Sequence, residues 1–290
     1  VDETWTVIAP TLTFIATVGP AWHRGAQLVL VDCDRTGTLD CDHLDFALSR
    51  VYDPEHTVVI GVDLYGQCCD YARIVRMCEK IGVKLVMDSA EAVGATYEGQ
   101  PAGSVGFAAI YSFNGNKILT TSGGGVLVTD SPELAEHARK LSQQAREPVP
   151  WYEHCEVGYN YRLSNILAAI GLAQLAKLPQ ILRKRAENAA FYSGFFPGRL
   201  LPTSNHWLSV AILDTPEEAQ ELAKRFAAAN IETRPVWKPL HLQPVFDGVG
   251  IPCLGGEVAE DLFRRGICLP SGTGLSADDF ARIRSVIEAK

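Results

Sequence analysis

The stretch SFNGNKILTTSGGG, residues 112–125, places a primary amine among small and polar residues, with Lys117 two positions after Gly115 and six before a glycine triplet. A nucleotide-binding lysine needs the pattern G-x-x-x-x-G-K-[ST]; here Asn116 separates Lys117 from Gly115, and Ile118 follows where a metal-holding hydroxyl should stand. A lysine in a polar loop is ordinarily a solvated surface charge. Its neighbours along the chain change that reading. KLVMDSAEA puts Asp88 just past an apolar run, AAIYSF ends at Ser112 with Lys117 five residues on, and VIAPTLTF ends with Thr11, Thr13 and Phe14. In open α/β sheets functional groups collect at the carboxyl ends of strands. Each residue has an ordinary use alone: Asp88 as a helix cap, Ser112 as a turn hydroxyl, Phe14 as a core aromatic. Together they supply an amine, a carboxylate, a hydroxyl and an aromatic face.

That set is what pyridoxal phosphate chemistry asks for. The lysine forms an imine with the cofactor aldehyde and carries protons to and from substrate carbon. A carboxylate opposite the pyridine nitrogen keeps the ring protonated and able to accept electrons. A hydroxyl and helix-start N–H groups hold the phosphate, and an aromatic ring stacks on the pyridine.

The elements that must position these groups follow an α/β rhythm. Short runs rich in Val, Ile and Leu at 5–10, 27–34, 57–64 and 83–90 alternate with helix-compatible stretches such as 41–51 and 70–81. This predicts a largely parallel sheet with helices on both faces. Further strands are expected at 106–113 and 124–130, then a helix over 131–145 and helical segments from 165 to 196 broken at Pro179. The last hundred residues change character. WLSVAIL reads as a strand, 215–230 as a helix with Thr215 at its N-cap and Pro216 at its first position, IETRPVW as an extended segment, and SADDFARIRSVIEAK as a final helix. The glycines of SGTG (271–274) suit a positive-φ turn before that helix. Two domains are expected, a large α/β unit over 1–185 and a smaller α+β unit over 186–290.

The 290 residues suffice for such a pair, and 47% apolar with 21% charged residues is ordinary for a globular protein. A net charge of −8 without a basic run argues against nucleic acid or an anionic membrane surface as partner. No apolar stretch approaches the ~20 residues that span a bilayer. The eight cysteines show no C-x-x-C spacing, which disfavours a metal site, and they read as reduced, mostly buried thiols of a cytoplasmic protein.

The sequence resembles the DegT/DnrJ/StrS-type nucleotide-sugar aminotransferases, pyridoxal phosphate enzymes of the aspartate-aminotransferase fold (type I). The resemblance covers nearly the whole chain. It rests on PTLTFIAT (10–17), MDSAEAVGATYEGQPAGSVG (87–106), SFNGNKILTTSGGGVLVTD (112–130), GYNYRLSNILAAIGLAQL (158–175), RPVWKPLHLQPVF (234–246) and CLPSGTGLS (268–276). NGNKILTTSGGG and WKPLHLQPVF are most similar to the branch acting on UDP-4-keto-6-deoxy-N-acetylhexosamines, as in bacillosamine-type synthesis. The resemblance implies a mostly parallel, seven-stranded-type sheet and the following roles. Lys117 is the Schiff-base lysine, Asp88 faces the pyridine nitrogen, and Glu91 sits near the phenolic oxygen. Ser112 contacts the phosphate and Phe14 stacks on the ring. Asn160 reaches the phosphate of a neighbouring subunit in a homodimer with shared active sites. Arg162, Lys238 and His241 face the sugar nucleotide, and Trp237 packs. The amino donor in such enzymes is usually glutamate. Relatives also carry a front segment with an S-G-T loop ahead of the point where this sequence starts, so weaker cofactor binding is expected of the chain as given. A non-catalytic or regulatory protein on the same scaffold is the alternative. A nicotinamide oxidoreductase is disfavoured, because no G-x-G-x-x-G follows a strand with an acidic residue about 20 positions later.

Overall fold

The structure is a computed structural model that describes residues 1–289. Five strands rich in β-branched residues lie side by side in parallel: β1 (Thr6–Pro10), β2 (Gln27–Val31), β3 (Thr57–Val62), β4 (Lys84–Asp88) and, after the small hairpin of β5 (Thr96–Tyr97) and β6 (Gln100–Pro101), β7 (Ala108–Ser112). The strand β8 (Gly125–Val128) runs antiparallel to β7 at one edge. A two-residue strand, β11 (Cys253–Leu254), joins β2 at the other edge, giving the order β11-β2-β1-β3-β4-β7-β8. The mostly parallel seven-stranded sheet is therefore present. Its seventh member comes from a segment too short to announce itself in the sequence.

Helices cover the sheet where the sequence places caps. Asp40 opens α2 (Cys41–Leu48) by accepting from the N–H groups of Asp42 and His43. Asp70 opens α3 (Tyr71–Ile81), which stops at left-handed Gly82. These two pack the core around Ile8, Val59, Leu85 and Met87. The short α1 (Gly19–His23) follows β1, and Ser131 caps α4 (Pro132–Ser142). The helical run after 165 breaks at Ala176–Lys177, two residues before the expected point: α5 (Asn165–Leu175) ends there, and Pro179 sits in the first turn of α6 (Leu178–Ser193), where a missing N–H costs nothing.

The carboxyl-terminal part builds a second sheet, β10-β12-β9, from β9 (Ser209–Ile212), β10 (Arg234–Pro235) and β12 (Gly266–Leu269), all antiparallel. Against it pack α7 (Pro216–Ala228), capped by Thr215, α8 (Glu257–Arg265) and α9 (Ala277–Glu288), capped by a Ser276–Asp279 box. Neither Gly272 nor Gly274 in the turn before α9 has a positive φ, contrary to the expectation, and α6 holds that turn through Asn188, which donates to the carbonyls of Ser271 and Gly272.

The segment between β10 and β12 does not stay within the second sheet. It crosses back to place β11 beside β2, and Asp32, 1% exposed at the end of β2, accepts hydrogen bonds from the N–H groups of Gly256, Val258 and Ala259. A buried carboxylate from the large sheet thus satisfies the start of α8, where three orphan donors and the helix dipole meet it. Replacing Asp32 with Ala leaves those donors buried and unmet. The expected loss is about 3 kcal/mol of unfolding free energy, read by urea denaturation, against about half of that for Asp32→Asn.

Candidate active site

Strand register fixes the first two groups. Asp88 closes β4 opposite Val62 of β3 and Ile110 of β7, so Asp88 and Ser112 stand at the carboxyl ends of neighbouring strands. Asp88 accepts 2.7 Å from the Thr17 hydroxyl through Oδ2 and 3.1 Å from the Ala90 N–H through Oδ1. Thr17 is in turn bonded to Thr13, Oγ1 to Oγ1, at 2.7 Å. Among the described residues no cation pairs with Asp88. The partly buried Ser112 hydroxyl accepts from the Asn114 N–H at 3.3 Å.

Past β7 the chain turns through Asn114–Lys117, where the Lys117 N–H donates to the Asn114 carbonyl. This turn aims the lysine inward. Its side chain is 13% exposed, and Nζ lies 3.5 Å from Glu91 Oε1 and 4.1 Å from the centre of the Trp207 ring. Glu91 is buried in the turn after β4, and its Oε2 accepts 2.8 Å from the Tyr65 N–H. Burial pushes the Glu91 carboxyl up to about 7, against the pull of the Lys117 ammonium.

Three residues that the sequence reading did not single out hold this group. Tyr65 has φ of 52°, the left-handed region that bulky residues avoid. Its ring stacks between Trp207 at 6.2 Å and Trp237 at 6.3 Å, and its hydroxyl accepts from the Trp237 N–H at 2.9 Å. Trp207, fully buried just before β9, donates its indole N–H to the Asn116 carbonyl at 2.8 Å and so pins the lysine turn. Asn205, also buried, donates to the backbone carbonyls of Glu91 and Val93. Only aromatic and amide residues outside any recognisable motif carry these contacts, so spacing gave no signal for them. Thr17, by contrast, closes the quoted PTLTFIAT motif.

A cavity of about 1070 Å³ opens beside the group, with Phe14, Tyr65, Asn116, Trp207, Trp237 and Lys238 in its wall. Phe14 is 50% exposed, with one edge against Trp237 at 5.3 Å. Lys117, Asp88, Glu91 and Ser112 stand behind this wall, Lys117 reaching it through Asn116 and Trp207. His241 is placed elsewhere. Its ring is held between Thr11 Oγ1 at 2.7 Å and Glu260 Oε1 at 3.3 Å, outside the cavity lining. Asn160 and Arg162 line a separate cavity of about 650 Å³ with Arg139, Lys140 and Arg146. The geometry therefore groups Lys117, Asp88, Glu91, Ser112 and Phe14, adds Lys238 at the rim, and leaves His241, Asn160 and Arg162 apart from it.

The donor set fits pyridoxal phosphate. A sequestered amine, a strand-tip carboxylate without a cation, a hydroxyl and a half-open aromatic face are the groups that this aldehyde, pyridine nitrogen, phosphate and ring require. Fold and site together define a pyridoxal phosphate enzyme of the aminotransferase type. The sequence model of the DegT/DnrJ/EryC1/StrS aminotransferase family matches residues 1–288. The chain is 41% identical to the pyridoxal phosphate-dependent aminotransferase EpsN of Bacillus subtilis, over 99% of this chain and 78% of that one. It is 35% identical to the GDP-perosamine synthase of Caulobacter vibrioides, over 97% and 78%. The PLP form of the sugar aminotransferase Spr1654 from Streptococcus pneumoniae superposes with a TM-score of 0.88 at 28% identity, covering 99% of this chain and 82% of that one. The chain belongs to the DegT/DnrJ/EryC1/StrS family of pyridoxal phosphate-dependent sugar aminotransferases.

The raised Glu91 carboxyl has a consequence for the cofactor-free protein. Its folded value lies above the ordinary 4.5, so the folded state retains a proton that the unfolded chain has released, and stability falls as pH rises from about 4.5 through about 7. Burial also raises the Asp63 carboxyl, to about 6, so both acids contribute to that decline. Glu91→Gln should flatten that stretch of a Tm-against-pH curve; an unchanged slope would count against the assignment.

Proposed function

We propose that this enzyme moves an amino group from an amino acid, glutamate in the first instance, to the keto carbon of a 4-keto nucleotide sugar, with Lys117 as the catalytic residue. The observation that carries the reading is the position of Lys117 Nζ, 3.5 Å from Glu91 in the turn that follows Asp88, on neighbouring strand tips. Names of relatives support the acceptor class: one is a GDP-perosamine synthase and another a dTDP-4-dehydro-2,3,6-trideoxy-D-glucose 4-aminotransferase.

Pyridoxal phosphate, when bound, supplies an aldehyde that takes up the amino group and a ring that accepts electrons from the adjacent carbon. The chain's own residues do the rest. Asp88, steadied by Thr17, would face the pyridine nitrogen and keep a proton there. Ser112 would hold the phosphate. Phe14 offers its open face to the ring. Lys117 Nζ anchors the cofactor, then takes a proton from the donor's carbon and returns one to the sugar carbon. Glu91, with a carboxyl that titrates near 7, holds the proton that the phenolic oxygen needs. Lys238, at the cavity rim, meets the diphosphate of the sugar nucleotide. His241, tied to Thr11 and Glu260, acts at one remove by setting the segment that carries Lys238.

The two units, 1–185 and 186–290, close around the cavity, with β11 as the one excursion of the second into the sheet of the first. Asn160 and Arg162 serve a second copy of the chain. Their separate cavity supports that assignment, as does α5, which exposes Ile166 (76%) and Leu172 (71%) and buries no residue in the single chain. A cytoplasmic homodimer fits these features, and no single described helix is long and apolar enough to cross a membrane.

The decisive experiment incubates the pyridoxal phosphate-loaded protein with glutamate and a panel of GDP-, UDP- and dTDP-4-keto sugars and reads products by mass spectrometry. An amino sugar nucleotide one nitrogen richer is expected with at least one of them, and none from Lys117→Ala, which also lacks the visible band of lysine-bound cofactor. An equal band in Lys117→Ala removes Lys117 from its role.

A further inference from the structure

Behind Asp88 lies a second carboxylate that the catalytic reading leaves unused. Asp63, at the end of β3, is wholly buried. Its backbone N–H donates to the Asp88 carbonyl at 3.0 Å, so the two residues cross-link adjacent strand tips. Its Oδ2 accepts from the hydroxyls of Ser89, at 2.5 Å, and Tyr71, at 2.7 Å, and its Oδ1 accepts from the Cys69 N–H at 3.1 Å. The Tyr71 oxygen in turn accepts from the Gly103 N–H at 2.8 Å. Gly103 packs so closely that a Cβ there would stand 2.8 Å from both Ser89 Oγ and the Tyr111 hydroxyl. Every element around the node is therefore fixed by it: β3, the start of α3, the turn after β4, the 102–103 loop and β7.

The groups facing Asp63 are Tyr71 and Cys68 from the α3 side, Cys69, Ser89, Tyr111 on β7 and Asp88 itself. None is a cation, and among the described residues no salt bridge reaches Asp63. A carboxylate buried without a counter-charge is costly, and an apolar residue or an amide would pack such a corner at less expense. Three donors offset part of that cost and keep the charge in place. Burial pushes the carboxyl up to about 6 against the hydroxyls of Ser89 and Tyr71, which leaves it ionised above that pH. A fixed negative charge one strand away favours the protonated, cationic form of a nitrogen bound nearby.

We propose that Asp63 is a positioning residue for the reaction: it holds the tip of β4 through Ser89 and, as a buried negative charge behind Asp88, favours the protonated form of the cofactor nitrogen that Asp88 faces. The proposal rests on the reading of Asp88 given above. Its effect is to keep the ring protonated at neutral pH more firmly than one carboxylate alone would.

The test uses the cofactor-loaded enzyme at rest, without substrates, and follows the visible absorption of the bound cofactor across pH. Asp63→Asn is nearly isosteric and keeps an acceptor for Cys69, yet carries no charge. Its absorption midpoint should move down by about half a pH unit or more, where one unit corresponds to about 1.36 kcal/mol. A midpoint unchanged while Tm falls would make Asp63 merely structural and overturn the proposal. Asp88→Asn is the control for the underlying reading: if Asp88→Asn leaves the midpoint in place, that reading fails, whereas a shift in Asp88→Asn with none in Asp63→Asn sinks only the present inference. Should Asp63→Asn fail to fold, Ser89→Ala decides: it takes one hydroxyl donor from the Asp63 carboxylate, its absorption midpoint should also move down, and an unmoved midpoint overturns the proposal.

Discussion

The site depends on keeping a carboxylate and an amine within 3.5 Å of each other where water hardly reaches. Neither charge is stable alone in such a place, and together they are stable only while both stay put. Glu91 is therefore held at both ends. Its Oε2 accepts from a backbone N–H that only a left-handed Tyr65 can present, and its own carbonyl accepts from Asn205. The backbone strain at Tyr65 is offset by a hydroxyl bond to the Trp237 N–H and by indoles on both faces. Strain, aromatic stacking and the ion pair form one unit, and loosening any member exposes the others.

The same unit joins the two sheets. Glu91, Tyr65 and Lys117 come from the strand tips of the large sheet, while Trp207 and Trp237 flank β9 and β10 of the small one. Arg185 on α6 donates to the carbonyls of Trp207 and Ser271 and so ties the loops flanking β9 and β12 to one helix. The cavity beside the lysine is thus walled by residues flanking both sheets, and its shape depends on how the two are set against each other.

Much of this was legible in the sequence. Apolar runs marked β1 to β4, β7, β8 and β9, and the Thr215 cap marked α7, because burial on both faces and orphan N–H groups leave strong local signatures. Lys117, Asp88, Ser112 and Phe14 were read together because each follows a strand and strand ends converge, and Glu91 joined them through the family resemblance. What remained hidden is long-range. The two residues of β11 carry no periodicity and pair only because α8 is anchored on Asp32. Trp207 read only as the first residue of an expected strand, Asn205 went unread, and Asp63 read only as part of the apolar run at 57–64. His241 sat in a recognisable motif, but its hydrogen bonds to Thr11 and Glu260 leave no signal in spacing.

The late return of β11 also sets an order of events during synthesis. Asp32 and Gly256 are separated by 224 residues, so at 5–20 residues per second β2 waits roughly 10–45 s on the ribosome with its outer edge unpaired. Over that interval the emerging chain presents a hydrogen-bonding rim that any extended peptide could borrow. A nascent polypeptide halted before α8 would thus be a nearly finished platform with an open flank, a natural client for chaperones that bind extended strands.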